Sequence, residues 1–260
     1  MTLLGDDRRP GGVTFGFTER TGGVSEGPYA SLNLGDRCGD DAACVSENRR
    51  RALAAIGAED MQGRLVNPLQ VHGHHVVVIA DSSDEAVAQA QKEAHEGADA
   101  IVCVATDVPV LLCYADCVPV ILVAPEGFAV VHSGWRGTIE RISARALQVL
   151  CDLTGAAPAQ VSAYVGPRVG GEDYEVSQEL LDRFVGEFGP NVSLPGTRLD
   201  LGVAVVQTLT DKGVLPEEIA VCDVSTVQTT ERFFSYRASG GECGRHGALA
   251  FRPRKNRQEV

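Results

Sequence analysis

Several things are missing or scarce in this chain of 260 residues, and each gap removes a class of answer. No CxxC pair occurs, which excludes a zinc ribbon or a thioredoxin-type motif. No apolar run approaches the roughly 18 residues of a membrane span. The start, Met1-Thr-Leu-Leu-Gly-Asp-Asp, lacks the basic and apolar regions of a signal peptide, so the expectation is a cytoplasmic protein. Positive charge is in deficit: the net charge is -12, and no long basic run lies outside the last residues, which argues against nucleic acid as a partner. The HxE and PCxxC pieces of the nucleobase deaminases are also absent.

What is present is apolar. A hydrophobic content of 44% gives a chain of this length a substantial core, and a single domain over residues 1–252 is expected, followed by a flexible basic tail at 253–260. Eight cysteines lie scattered, and Cys103, Cys113 and Cys222 fall inside apolar segments. They read as buried reduced thiols rather than a disulfide framework.

Four near-continuous apolar runs, 98–104, 108–115, 118–124 and 128–132, predict strands of one sheet buried on both faces. Helices are expected over 41–56, 84–96, 138–151, 177–188 and 200–212, and further strands over 13–17, 76–80, 160–165 and 219–223. Together these predict an α+β or mixed α/β domain. Within the first helix, Asn48 and Arg49 read as a solvated face. The stretch 21–35 is too rich in Gly and Ser for regular structure and predicts a long ordered loop.

Residues 129–138, Ala-Val-Val-His-Ser-Gly-Trp-Arg-Gly-Thr, hold the only tryptophan. An apolar strand delivers His132 to a glycine turn that opens a helix, a place where a side chain meets free backbone N–H groups. Two more candidate ligands stand at comparable positions. His72 sits on a glycine turn before a β-branched strand, and Cys117 sits at the join of two apolar runs. The adjacent His74 and His75 point to opposite sides of an extended chain and do not suit a shared ion. A His₂Cys set with an open fourth position is a catalytic zinc arrangement, although the gaps of 45 and 15 residues match no short-range zinc signature.

Six motifs stand in order along nearly the whole chain. They are Arg20-Thr-Gly-Gly-Val-Ser-Glu-Gly-Pro-Tyr-Ala-Ser-Leu-Asn-Leu-Gly35, Gln70-Val-His-Gly73, Ala115-Asp-Cys-Val-Pro119, His132-Ser-Gly-Trp-Arg-Gly137, Val165-Gly-Pro167 with Tyr174-Glu-Val176, and Phe233-Phe-Ser-Tyr-Arg237 with Gly244-Arg245. In these the sequence resembles the multifunctional purine nucleoside phosphorylases long labelled laccase-domain or polyphenol-oxidase proteins. The resemblance implies a layered α/β/β/α arrangement and a zinc ion held by His72, Cys117 and His132. It also implies phosphorolysis of adenosine, inosine and methylthioadenosine to the free base and ribose 1-phosphate, with adenosine deamination as a second activity. Purine nucleosides and phosphate are then the partners. Asn33, Arg49, Arg136 and Arg237 become candidates for substrate binding, with the Gly134–Gly137 turn as a candidate anion seat. Two departures bear on specificity: Val224-Ser225-Thr226 stands where the family has a Cys-Thr pair, and Ala238 replaces a second arginine after Arg237.

Other chemistries can use the same residues. His₂Cys is also the blue-copper ligand set, so a copper-dependent polyphenol oxidase is an alternative. Six histidines are too few for the additional three-copper cluster, and the weak axial methionine would have to be Met1 or Met61. A metal-free cysteine hydrolase, with Cys117 as nucleophile and His132 as base, is a second alternative. A non-enzymatic binding module is a third.

Overall fold

The computed structural model describes residues 2–254, and residues 255–260 of the expected tail lie outside the described residues. In chain order the strands and α-helices are β1 Leu3–Leu4, β2 Thr14–Thr18, α1 Ala42–Ala55, β3 Val76–Ile79, α2 Asp84–Glu96, β4 Ala100–Cys103, β5 Val110–Tyr114, β6 Val118–Ala124, β7 Gly127–Ser133, α3 Trp135–Ile139, α4 Ile142–Thr154, β8 Ser162–Val165, α5 Gln178–Phe188, β9 Ser193–Leu194, β10 Arg198–Leu199, α6 Leu201–Asp211, β11 Ile219–Val221 and β12 His246–Phe251.

The strands form two main sheets and a separate antiparallel pair, β9 with β10. One main sheet is antiparallel in the order β1-β2-β12-β5, and the other is mixed in the order β11-β8-β6-β7-β4-β3. Side-chain alternation sorts each strand between two apolar layers. Along β7, Phe128 and Val130 face the layer between the sheets, whereas Ala129 and Val131 face the layer under α4 and α6. Along β12, Ala248 and Ala250 join the inter-sheet layer, and Leu249 and Phe251 pack against Leu53 and Ile56 beside α1. The result is helix, sheet, sheet, helix, the layered mixed α/β domain that the resemblance implies.

Three expectations are corrected. The four apolar runs do not form one sheet, because β5 belongs to the antiparallel sheet and β4, β6 and β7 to the mixed one. The chain changes sheets across Ala115-Asp116-Cys117, with Asp116 in the left-handed region at φ 88°. The expected helix over 138–151 is two helices, broken at Arg141, which adopts φ 56°. The break has a tertiary cause: the Arg141 guanidinium lies over the Phe188 ring at 4.0 Å and donates to Glu187 and to Thr208 Oγ1. Lastly, Asn48 has no solvent exposure, although it was expected on a solvated face. Its Nδ2 donates to Ser25 Oγ and to the Asn33 carbonyl, and its Oδ1 accepts from Val24 N, so it ties the long loop 21–35 to α1.

Candidate metal centre

Each of the three candidate ligands owes its place to a different backbone device. His132 ends β7 on the face shared with Phe128 and Val130, at the mouth of the inter-sheet layer. Cys117 follows the sheet crossing, whose left-handed Asp116 is held by two bonds: Thr226 Oγ1 donates to its Oδ1 at 2.7 Å and the Arg237 N–H to its Oδ2 at 2.7 Å. His72 is itself left-handed, at φ 59°. A non-glycine residue in that region costs free energy that its surroundings must offset.

Asp99 supplies that offset. Its carboxylate accepts the backbone N–H groups of Val71, His72 and Gly73 at 3.2, 3.0 and 2.7 Å, closing the turn around His72. The same carboxylate accepts from His132 Nδ1 at 2.7 Å. That bond fixes the His132 tautomer with Nε2 as the free donor atom. Asp99 has no solvent exposure, and burial opposes its ionisation, but the His132 bond and the backbone amides hold its carboxyl below the usual carboxylate range. Sequence reasoning missed this residue, although an acid just ahead of an apolar run was a visible signal.

The ligand atoms of His72, Cys117 and His132 lie within 4.8 Å of one another. The two imidazoles meet edge to face with centroids 4.8 Å apart. Burial raises the Cys117 thiol, yet the neighbouring His132 and His72 more than offset this and bring it down to about 6, which makes the thiolate ligand accessible at neutral pH. Gly134 faces the same space: a Cβ there would come 3.0 Å from His72 Cδ2 and 3.2 Å from Cys117 Sγ. Two borderline nitrogens, a thiolate and room kept open by glycine fit a zinc-sized ion with a free coordination position.

The triad lies in the wall of a cleft of about 790 Å³. Around it stand Trp135, Tyr174, Tyr236 and four arginines, Arg37, Arg136, Arg237 and Arg245. The Arg136 guanidinium lies over the Trp135 ring at 4.7 Å and that of Arg237 over the Tyr174 ring at 4.8 Å. Burial pushes the Tyr174 hydroxyl up to about 12, so it stays protonated and able to donate.

Of the other sequence candidates, Arg136 and Arg237 line the cleft, whereas Asn33 and Arg49 stand behind its wall. Asn33 is fully buried, and its Oδ1 accepts from the Arg245 N–H at 2.8 Å. Arg49 donates to the Leu34 carbonyl and to Asn67 Oδ1 and pairs with Asp36 at 3.3 Å. The Gly134–Gly137 turn opens only a five-residue helix, and of its residues Trp135 and Arg136 reach the cleft. His74 and His75 turn away to Glu140 and Glu93. Met61 packs beside α1 and does not line the cleft. Cys103 is buried as expected, but Cys113 and Cys222 are only half-buried, and Cys113 faces the cleft. Tyr174 and Arg245 carry no role in the sequence reading, although both stand in its motifs.

The model of a family described as multi-copper polyphenol oxidoreductase laccase matches residues 14–252. A purine nucleoside phosphorylase of Deinococcus radiodurans is 37% identical over 254 residues, covering 95% of this chain and 92% of that protein. The purine nucleoside phosphorylase YlmD of Geobacillus stearothermophilus is 34% identical over 249 residues, covering 92% of this chain and 89% of that protein. The crystal structure of YlmD superposes with a TM-score of 0.82 at 30% identity, covering 94% of this chain and 93% of that one. That of Bacillus licheniformis YfiH gives 0.80 at 27% identity, with 92% of each chain covered. The chain therefore belongs to the laccase-like polyphenol oxidoreductase family, among whose members are proteins named purine nucleoside phosphorylase.

Proposed function

We propose that this chain is a zinc-dependent purine nucleoside phosphorylase of the cytoplasm. Its substrates are adenosine, inosine and methylthioadenosine, which it cleaves with phosphate to the free base and ribose 1-phosphate, and it deaminates adenosine as a second activity. The observation that carries this reading is the His72, Cys117, His132 set in the wall of a nucleoside-sized cleft that also bears four arginines. Relatives named purine nucleoside phosphorylase over more than nine tenths of the chain support it. Buried thiols such as Cys103, inside β4, suit a reducing compartment. No helix among the described residues is long and apolar enough to cross a membrane.

In phosphorolysis a phosphate oxygen bonds to ribose C1′, the bond from C1′ to the base nitrogen breaks, and its electron pair leaves with the base. His72, Cys117 and His132 would hold the zinc, which when bound supplies Lewis acidity at the cleft wall. Arg136 and Arg237 face the cleft and bind substrate directly. Asn33 and Arg49 act at one remove, by positioning Arg245 and Asn67. The protonated Tyr174 hydroxyl donates to the polar edge of the bound nucleoside.

Copper chemistry is the second reading, because the family description names it. It fares less well on residues: only His72 and His132 of the six histidines line the cleft, and Met61 does not. The test is elemental analysis of the purified protein with chromatography of a nucleoside panel, with and without phosphate. About one zinc per chain and phosphate-dependent release of base, both lost in Cys117→Ala with unchanged circular dichroism, are expected. Absence of base under every condition overturns the phosphorylase reading. Inactivation by thiol alkylation with indifference to chelators points instead to a cysteine hydrolase.

A further inference from the structure

The departure at Val224-Ser225-Thr226 falls outside the cleft. Val224 and Ser225 line a second cavity, of about 260 Å³ against about 790 Å³ for the cleft, and the two cavities share no lining residue. Ser225 builds part of the smaller one. Its Oγ donates to Asp173 Oδ2 at 2.6 Å and accepts from the Gly170 N–H at 3.2 Å.

One end of this cavity is cationic. Arg168 lines it and is only 6% exposed, yet no carboxylate forms an ion pair with it among the described residues. Its Nη1 donates to the Cys222 carbonyl at 3.0 Å, its Nε is buried without a partner, and its Nη2 makes no hydrogen bond to the described chain. The guanidinium stands over the first turn of α6: a Cβ on Gly202 would fall 2.2 Å from Arg168 Nε and 2.5 Å from Nη2. A helix start carries partial positive charge and free N–H groups, so it adds to the guanidinium charge instead of cancelling it. A buried charge in this state is costly, and an anion offsets the cost.

The rest of the wall is acidic, with Glu172, Asp173, Asp200 and Asp223. Three of these are engaged: Glu172 with Arg198, Asp173 with Ser225 and Gln228, and Asp200 through Oδ1 with the Val203 N–H. Asp223 is exposed and makes no hydrogen bond or ion pair among the described residues. A lone anion in the cavity would meet Asp223, and a lone cation would meet Arg168 and the start of α6. A small molecule that carries both charges suits both ends.

We propose that this cavity binds a small free α-amino acid, with its carboxylate on Arg168 and the start of α6 and its ammonium at Asp223. The planar guanidinium fork matches a carboxylate, and the helix start supports it. The site adjoins the cleft through the chain: Val169, next to Arg168, lines the cleft, and Thr226, next to Ser225, holds Asp116. Its existence does not depend on the phosphorylase reading, so binding alone tests it.

Glycine, L-alanine and L-serine are titrated into the metal-replete protein and followed by calorimetry. Saturable binding of at least one of them at about one site per chain is expected. Glycinamide, which lacks the carboxylate, and N-acetylglycine, which lacks the ammonium, are expected to bind at least tenfold more weakly. Arg168→Gln and Asp223→Asn should each weaken binding at least tenfold, whereas Arg136→Gln, in the cleft, should leave it unchanged. Arg168 is buried, so circular dichroism accompanies that variant, and Asp223→Asn at its exposed position decides the matter if Arg168→Gln unfolds. No saturable binding of any of the three amino acids overturns the proposal. So does N-acetylglycine or glycinamide binding as tightly as the amino acid, which would mean a simple anion or cation site. Unchanged binding in Asp223→Asn overturns it as well, and loss of binding in Arg136→Gln would place the ligand in the cleft instead.

Discussion

Asp99 Oδ1 accepts from His132 Nδ1 at 2.7 Å and, with the same oxygen, from the backbone N–H of His72 at 3.0 Å. One buried atom thus fixes the ring of one candidate ligand and the backbone of another. Asn at this position keeps the shape but puts an N–H₂ group where a carboxylate oxygen now accepts. Outer-shell partners of this kind are worth 10–100-fold in metal affinity. Asp99→Asn is expected to weaken zinc binding by about that factor, measured by competition with a chromogenic chelator. Unchanged affinity in a folded variant would show that Asp99 serves only the turn.

Gly134 supplies a second test of the centre. Its φ of -73° lies in a region open to any residue, so glycine is needed there for space and not for conformation. A methyl group would stand 3.0 Å from His72 Cδ2 and 3.2 Å from Cys117 Sγ. Gly134→Ala is expected to lose metal and activity together while its urea midpoint stays near that of the wild type. Full metal content in Gly134→Ala would mean that the ligands close elsewhere.

The layered fold was largely legible because alternation along strands such as β7 and β12 survives in the sequence. The split into two sheets was not, since the apolar runs of β5 and β6 look alike and only the left-handed Asp116 between them changes direction. The candidate ligand set is legible as three residues at turns, which the motifs join across gaps that spacing leaves unexplained. Asp99 escaped notice because its role lies in bonds to the turn at 71–73, some 27 residues earlier. Asn48 escaped because an amide in mid-helix carries no mark of what a distant loop will place over it.

Asn48 therefore deserves a direct measurement. Its side chain donates to Ser25 Oγ and the Asn33 carbonyl and accepts from Val24 N, all in a fully buried position. Truncation leaves these groups without partners, at a cost of roughly 1–3 kcal/mol for each buried group orphaned. Asn48→Ala is expected to lower the urea midpoint clearly and, by loosening the loop that carries Arg37 and Cys38 to the cleft, to raise the nucleoside KM. A variant as stable as the wild type would return Asn48 to the solvated face that the sequence suggested.

His246 governs a pH effect of definite sign. It has no solvent exposure, neither ring nitrogen has a partner among the described residues, and its ring lies against Tyr114 and Phe233 at 6.3 and 5.4 Å. Burial, reinforced by the charges of Arg245 and Arg20, depresses its imidazole to about 3. The unfolded chain protonates this group near its ordinary value of about 6.5. Between those values the unfolded state binds a proton that the folded state does not, so stability falls as pH drops from about 6.5 towards 3, by about 1.4 kcal/mol per pH unit. Above the ordinary value the group contributes no pH dependence. Phe at this position places an apolar ring in an apolar site and removes the titration. Urea midpoints measured on metal-free protein from pH 7 to pH 4 are expected to fall less steeply for His246→Phe than for the wild type. The carboxylates are common to both proteins and cancel in that comparison, so parallel curves would mean that the folded state accommodates a protonated His246.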